Sequence, residues 1–252
     1  MRALILSDIH ANLEALNAVL EAAAGTYDVL WNLGDVVGYG ASPNEVIEII
    51  RPLAQLNVRG NHDRVCCGLA SALGFNPIAR AAANWTHDEM TEENRQWLAG
   101  VPKGPIHPEG VPGIVLAHGS PLNEDQYILT MRDAWAPLQQ TGIEITFIGH
   151  THLQGGFCQR EEQWHELRPR YETRNDAESW ILPLPERTRH LINPGSVGQP
   201  RDHDWRAAFA IYDSEASEIV FHRVPYDLTT AQGRILMAEL PEKLALRLRE
   251  GR

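Results

Sequence analysis

The chain has 252 residues, 43% hydrophobic and 22% charged, with a formal net charge of -11. That length suits one large domain, read here as residues 1–252, and the composition excludes disordered, fibrous and repeat architectures. The acidic balance argues against extended nucleic-acid binding, which needs clustered Lys and Arg to neutralise phosphates.

Ala3 to Leu6 reads as a buried strand, followed by Leu13, Leu16, Leu20 and Ala23 at helical spacing and a second apolar strand from Val29 to Leu33. "SPNE" then predicts a helix start, with Ser42 as N-cap, Pro43 at the first helical position and Glu45 closing a capping box. Val58 leads into "RGNHD", and the alternation predicts parallel strands with right-handed helical crossovers. The middle is more helical, with Thr91 as a predicted N-cap. Two further buried strands follow, from Ile114 in "IVLAHG" and from Ile145 in "ITFIGHTH". Residues 155–189 turn polar and proline-interrupted, which predicts a lid or hairpin insertion on the core. Ala208 to Tyr212 and Ile219 to Val224 predict a late hairpin, and residues 230–249 closing helices around Pro241. The seven tryptophans are expected mostly in the core.

Ligands of open α/β sheets bind beyond the carboxyl ends of the strands. Each of five predicted strands delivers polar groups there: Asp8 and His10; Asp35; Asn61 and His62; His118; His150 and His152. Carboxylate, imidazole and carboxamide donors suit borderline divalent metals such as Mn, Fe, Zn or Ni, and seven ligands exceed the needs of one ion. Two metal ions roughly 3.5 to 4 Å apart can share and acidify a water and clamp a phosphoryl displacement, and they would attract an anionic substrate to an acidic protein. Gly34, Gly60, Gly119 and Gly149 flank these groups, where a small residue permits sharp turns and close backbone approach.

The blocks "DIH", "GD", "GNHD", "AHG" and "GHTH", in that order between Asp8 and His152, resemble the calcineurin-like metallophosphoesterases, and "NPGSVGQPRD" at 193–202 extends the match. The resemblance implies an α/β fold, a layered sandwich of two central mixed β-sheets flanked by helices. It gives one metal to Asp8, His10, Asp35 and His152, and the second to Asp35, Asn61, His118 and His150, with Asp35 bridging. His62 is left free of metal as the catalytic residue, placed to stabilise the phosphoryl oxygens or protonate the leaving group. The implied nucleophile is a hydroxide bridging the two ions.

Asp63 is read as capping the turn after "GNH". Asn12 is an N-cap that also lies near enough to contact a substrate phosphate. The glycines of "NPGSVGQPR" read as structural, and Arg201 as a contact for a substrate anion. Related serine/threonine phosphatases and symmetrical dinucleoside-polyphosphate hydrolases usually carry an arginine in their "GD" block, where "GDVVGYG" has Gly38 and Tyr39. The expectation is therefore a small bacterial type of phosphodiesterase. The alternatives are a phosphomonoesterase or nucleotide pyrophosphohydrolase, and a non-catalytic metal-binding scaffold that has kept the fold.

Cys66, Cys67 and Cys158 have no C-x-x-C spacing and indicate neither a disulfide framework nor a zinc knuckle. No stretch approaches the ~20 apolar residues of a membrane span, and the apolar run after Met1 is too short for a signal peptide. The expected setting is cytoplasmic, with a small phosphate ester as substrate and no membrane partner; a homo-oligomer is compatible with the sequence.

Overall fold

A computed structural model describes all residues, Met1–Arg252. In chain order it runs β1 (Arg2–Leu6), α1 (Leu13–Ala22), β2 (Val29–Asn32), α2 (Pro43–Leu53), β3 (Leu56–Asn57), α3 (Asn61–Cys66), α4 (Pro77–Glu89), α5 (Glu92–Gly100), β4 (Ile114–Leu116), α6 (Met131–Leu138) and β5 (Ile145–Phe147). Then follow β6 (Gly155–Arg160), β7 (Gln163–Leu167), β8 (Glu178–Pro183), β9 (Thr188–Asn193), β10 (Ala207–Asp213), β11 (Glu218–Val224), α7 (Leu228–Met237) and α8 (Glu242–Glu250).

Two mixed sheets stack face to face. The first has the order β3-β2-β1-β10-β11-β8 and the second β4-β5-β9-β6-β7. Strand alternation makes the layers: Ala3 and Ile5 of β1 join Ile114, Leu116, Ile145, Phe147 and Ile192 between the sheets. Leu4 and Leu6 point the other way, into the core shared with α1, α2, α7 and α8. On the outer face of the second sheet, Ala134 and Leu138 of α6 pack on Phe157 and Leu191. The parallel runs β1, β2, β3 and β4, β5, β9 bring their carboxyl-end loops together at one edge of the sandwich.

Residues 155–189 are part of both sheets. β6 lies between β9 and β7, and β8 extends the first sheet by pairing with β11. Most of the charged side chains that suggested a lid lie in the connections between these strands, at 161–162, 168–176 and 186–187, where they meet solvent. Under this segment lie two fully buried arginines. Arg206 pairs with Asp204 and Glu178, and Arg223 pairs with Asp202.

Asn12 and Thr91 cap α1 and α5 as expected. Ser42 precedes α2 with Pro43 at its first position, yet its hydroxyl makes no hydrogen bond and no capping box forms. Its backbone, at φ -127° and ψ 55°, lies outside the extended region that aims an N-cap side chain at the helix end. Of the seven tryptophans only Trp31 is buried, and Trp135 is 57% exposed; a ring of that size commonly leaves an edge at the surface.

Candidate metal centre

Asp8 and His10 follow β1, Asp35 follows β2, Asn61 opens α3, His118 follows β4, and His150 and His152 follow β5. All but Asn61 are buried. The ligand atoms of Asp8, His10, Asp35 and His152 lie within 4.8 Å of one another, as do those of Asp35, His118 and His150. Asp35 belongs to both groups. Its Oδ2 faces His10 Nε2 at 3.6 Å and His118 Nε2 at 3.4 Å, while Oδ1 accepts the His62 backbone N–H at 2.8 Å. Asn61 Oδ1 lies 3.1 Å from His118 Nε2.

Bringing so many donors together strains the backbone. Asp8, His10, Asp35, His150 and His152 all have φ between 50 and 66°, a region L-residues rarely adopt and which clusters at functional sites. Gly60 and Gly149 permit the approach: a Cβ on Gly60 would stand 2.0 Å from Asp35 Oδ1, and one on Gly149 would stand 1.8 Å from Ser7 Oγ.

The hydrogen bonds test whether a cation fits. His10 Nδ1 lies 3.1 Å from the Val37 carbonyl and His152 Nδ1 lies 2.6 Å from the Gln199 carbonyl. A carbonyl only accepts, so both Nδ1 atoms carry protons. Burial holds both imidazoles neutral, well below the usual histidine range. Their Nε2 atoms, 3.2 Å apart, therefore face each other as bare lone pairs, with Asp8 Oδ1 3.3 Å from His152 Nε2. Such a cluster of acceptors suits a positive ion at its centre, and the backbone carbonyls orient the rings as outer partners of metal-ligating histidines do. His150 Nε2 is also buried without a partner.

Protons offset part of the carboxylate charge in both groups. Burial alone would depress His118, but the Asp35 carboxylate overrides it and lifts the pKa to about 10. Burial pushes Asp8 up to about 7, against the pull of His118. His150 is held down to about 3 by burial and by the His118 charge.

His62 lies beside these groups, 5% exposed and a member of neither. Its ring packs at a tilt against Tyr39 and Phe75, with centroids 4.4 and 4.5 Å away, and burial lowers its pKa to about 4. Asp63 is structural: its oxygens accept the N–H groups of Gly60 and Val37 at 3.0 and 3.1 Å, tying α3 to the Asp35 loop. Asn12 uses Oδ1 on Ala15 N–H and Nδ2 on the Gly198 carbonyl. Its Oδ1 is taken by the helix cap, while Nδ2 keeps a second N–H beyond the one given to Gly198. The turn at 193–200 is likewise built in, with Ser196 Oγ donating to the Asp8 carbonyl at 2.7 Å. Arg201 extends from this turn to Tyr39 Oη at 3.5 Å and Gln199 Oε1 at 3.2 Å.

Three contributors were not read from the sequence. Ser7 Oγ donates to Asp8 Oδ2 at 2.7 Å. Phe75 and Tyr127 lie against His62 and His150. Ser7 stands beside a ligand and could have been suspected; nothing local marks the two aromatics.

A metal-binding phosphoesterase is the class that this edge of an α/β sandwich defines. Residues 1–217 match the calcineurin-like phosphoesterase superfamily domain. An uncharacterised protein of Methanocaldococcus jannaschii is 37% identical over 254 residues, spanning 98% of this chain and 97% of that protein. The crystal structure of a metallophosphoesterase from Sphaerobacter thermophilus superposes with a TM-score of 0.83 at 40% identity, covering 100% of this chain and 99% of that one. A hypothetical protein from Pyrococcus horikoshii gives 0.78 at 23% identity, covering 100% and 98%, and shares the fold. The chain belongs to the calcineurin-like phosphoesterase superfamily. No helix is long and apolar enough to cross a membrane.

Proposed function

We propose that this protein is a metal-dependent phosphodiesterase that hydrolyses a small phosphate diester at a pair of divalent ions. The observation that carries the reading is the convergence of unprotonated His10 and His152 Nε2 atoms on carboxylate oxygens, with Asp35 common to two ligand groups. Asp8, His10, Asp35 and His152 would hold one ion, and Asp35, Asn61, His118 and His150 the other. Two such ions lower the pKa of water toward neutrality and neutralise charge developing on phosphoryl oxygens.

The chain's own residues supply the rest. His62 is neutral at pH 7, so it acts by donating a hydrogen bond to a phosphoryl or leaving oxygen; its ring is held by contacts with Tyr39 and Phe75. Arg201 is the arginine whose charge reaches Asp8, His10, His62 and His152, and it receives the substrate anion. Tyr39 occupies a place where the resemblance to phosphatases would put an arginine. A diester carries one charge fewer than a monoester dianion, which suits a rim with one cation.

The test is hydrolysis of bis(p-nitrophenyl) phosphate against p-nitrophenyl phosphate by Mn-loaded protein, with Asp35→Asn as control. Preferential cleavage of the diester, abolished in the variant together with metal binding, is the expected result. Preference for the monoester would reassign the protein to the monoesterases. Bound metal with no turnover of any ester would leave a scaffold.

A further inference from the structure

The loop between β4 and α6 places an aromatic ring directly on a candidate metal ligand. Tyr127 stacks on the His150 imidazole, with centroids 4.0 Å apart and planes inclined by 24°. His150 covers one face of the ring, yet Tyr127 is 46% exposed, so much of the residue stays open to solvent. Leu122 and Leu129 on the same loop are 57% and 47% exposed. Apolar surface left open beside a buried polar centre is what a ligand with an apolar part would cover.

The platform is built into the fold. Ser120 N–H donates to the Gln126 carbonyl at 3.2 Å, and Gln126 N–H to the Asn123 carbonyl at 3.0 Å. Arg64 of α3 reaches across to Glu124 at 2.5 Å and Asp125 at 2.8 Å. Immediately after the ring, the Thr130–Asp133 capping box starts α6. Tyr127 is therefore held on both sides in sequence, and an aromatic ring positioned in advance loses little entropy on binding.

We propose that Tyr127 is a stacking platform that selects phosphate esters bearing a planar aromatic group, making the substrate class a nucleoside phosphate ester. The proposal rests on the phosphoesterase reading for the position of the phosphate. With phosphorus near the His118 and His150 donors, a base joined through its sugar reaches the exposed part of Tyr127. Stacking of a base on an aromatic side chain tolerates any base, because every base presents a π-face.

The test is calorimetric titration of the Mn-loaded protein with adenosine 5′-monophosphate and with ribose 5-phosphate, which lacks the base. The nucleotide should bind about tenfold tighter or more, and Tyr127→Ala should abolish that preference while Tyr127→Phe keeps it. Metal content and melting temperature of each variant check that the site is assembled. Equal affinity for the two ligands, absence of nucleotide binding, or a preference that survives in Tyr127→Ala overturns the proposal. So does an equal loss for both ligands, which would mean that Tyr127 acts only through His150. Turnover separates the two readings: base preference without hydrolysis of any ester leaves the platform standing and removes the enzyme, and hydrolysis without base preference does the reverse.

Discussion

Replacing Gly60 by alanine adds a single methyl group, yet it should disable the metal centre. The new Cβ would lie 2.0 Å from Asp35 Oδ1 and 2.4 Å from the Asp35 backbone nitrogen. Real Cβ contacts essentially never fall below 3.0 Å, so Asp35 or the Gly60 backbone must shift by about 1 Å or more. Neither can move freely. Asp35 Oδ1 accepts the His62 N–H at 2.8 Å, and Gly60 N–H is held by Asp63 at 3.0 Å. Overpacking of this kind costs roughly 1–3 kcal/mol, and loss of a buried hydrogen bond adds about 1 kcal/mol. Urea unfolding of metal-free Gly60→Ala should therefore register a loss of about 2–4 kcal/mol. The functional loss should be larger, because a 1 Å displacement of the shared carboxylate misplaces an oxygen for both ligand groups at once. Elemental analysis after Mn loading should find both ions depleted. If the variant is within about 0.5 kcal/mol of the parent and retains two ions at unchanged affinity, the shared-carboxylate geometry is refuted.

Metal binding should release protons. His118 at about 10 and Asp8 at about 7 hold protons in the metal-free protein at pH 7. Calorimetry in buffers of different ionisation enthalpy should therefore detect between about one and two protons released, with affinity rising from pH 6 to 8. Away from the centre, burial lowers the pKa of His190 to about 4, below the 6.5 of the unfolded chain. The unfolded chain binds the extra proton in between, so this contribution is complete above pH 6.5 and is lost as pH falls through 4. That is about 3 kcal/mol, and His190→Gln should flatten the urea midpoints measured from pH 7.5 to 4.5. Arg201→Met should raise KM for a diester about tenfold with metal content unchanged. Simultaneous loss of metal would make Arg201 a structural residue of the ligand loop.

The candidate donors were legible because each group sits within a few residues of a strand end, and a period-2 apolar run ending on Asp, His or Asn is local information. Asp8 with His10, Asp35, Asn61 with His62, His118, and His150 with His152 all follow this rule. The α/β class and its parallel strands were legible for the same reason, since crossover helices announce themselves by periodicity. The strand pairing of residues 155–189 was not. Edge strands such as β7 and β8 carry polar side chains on their open faces, and nothing local says that β8 crosses to pair with β11. Ser42 shows the limit of motif reading at short range, because capping depends on a ψ angle that the surrounding packing sets.

Sequence alone thus determined which donor types stand at which strand ends, and so the chemistry available. Only the tertiary structure decided which donors come together in one group. Partition requires distances between loops more than 100 residues apart, as between His10 and His152 Nε2 at 3.2 Å, and those depend on how two sheets stack. The same stacking placed Arg206 and Arg223 in the interior and laid Tyr127 on His150. These outcomes arise from the summed packing of the whole domain, which no short stretch of chain encodes.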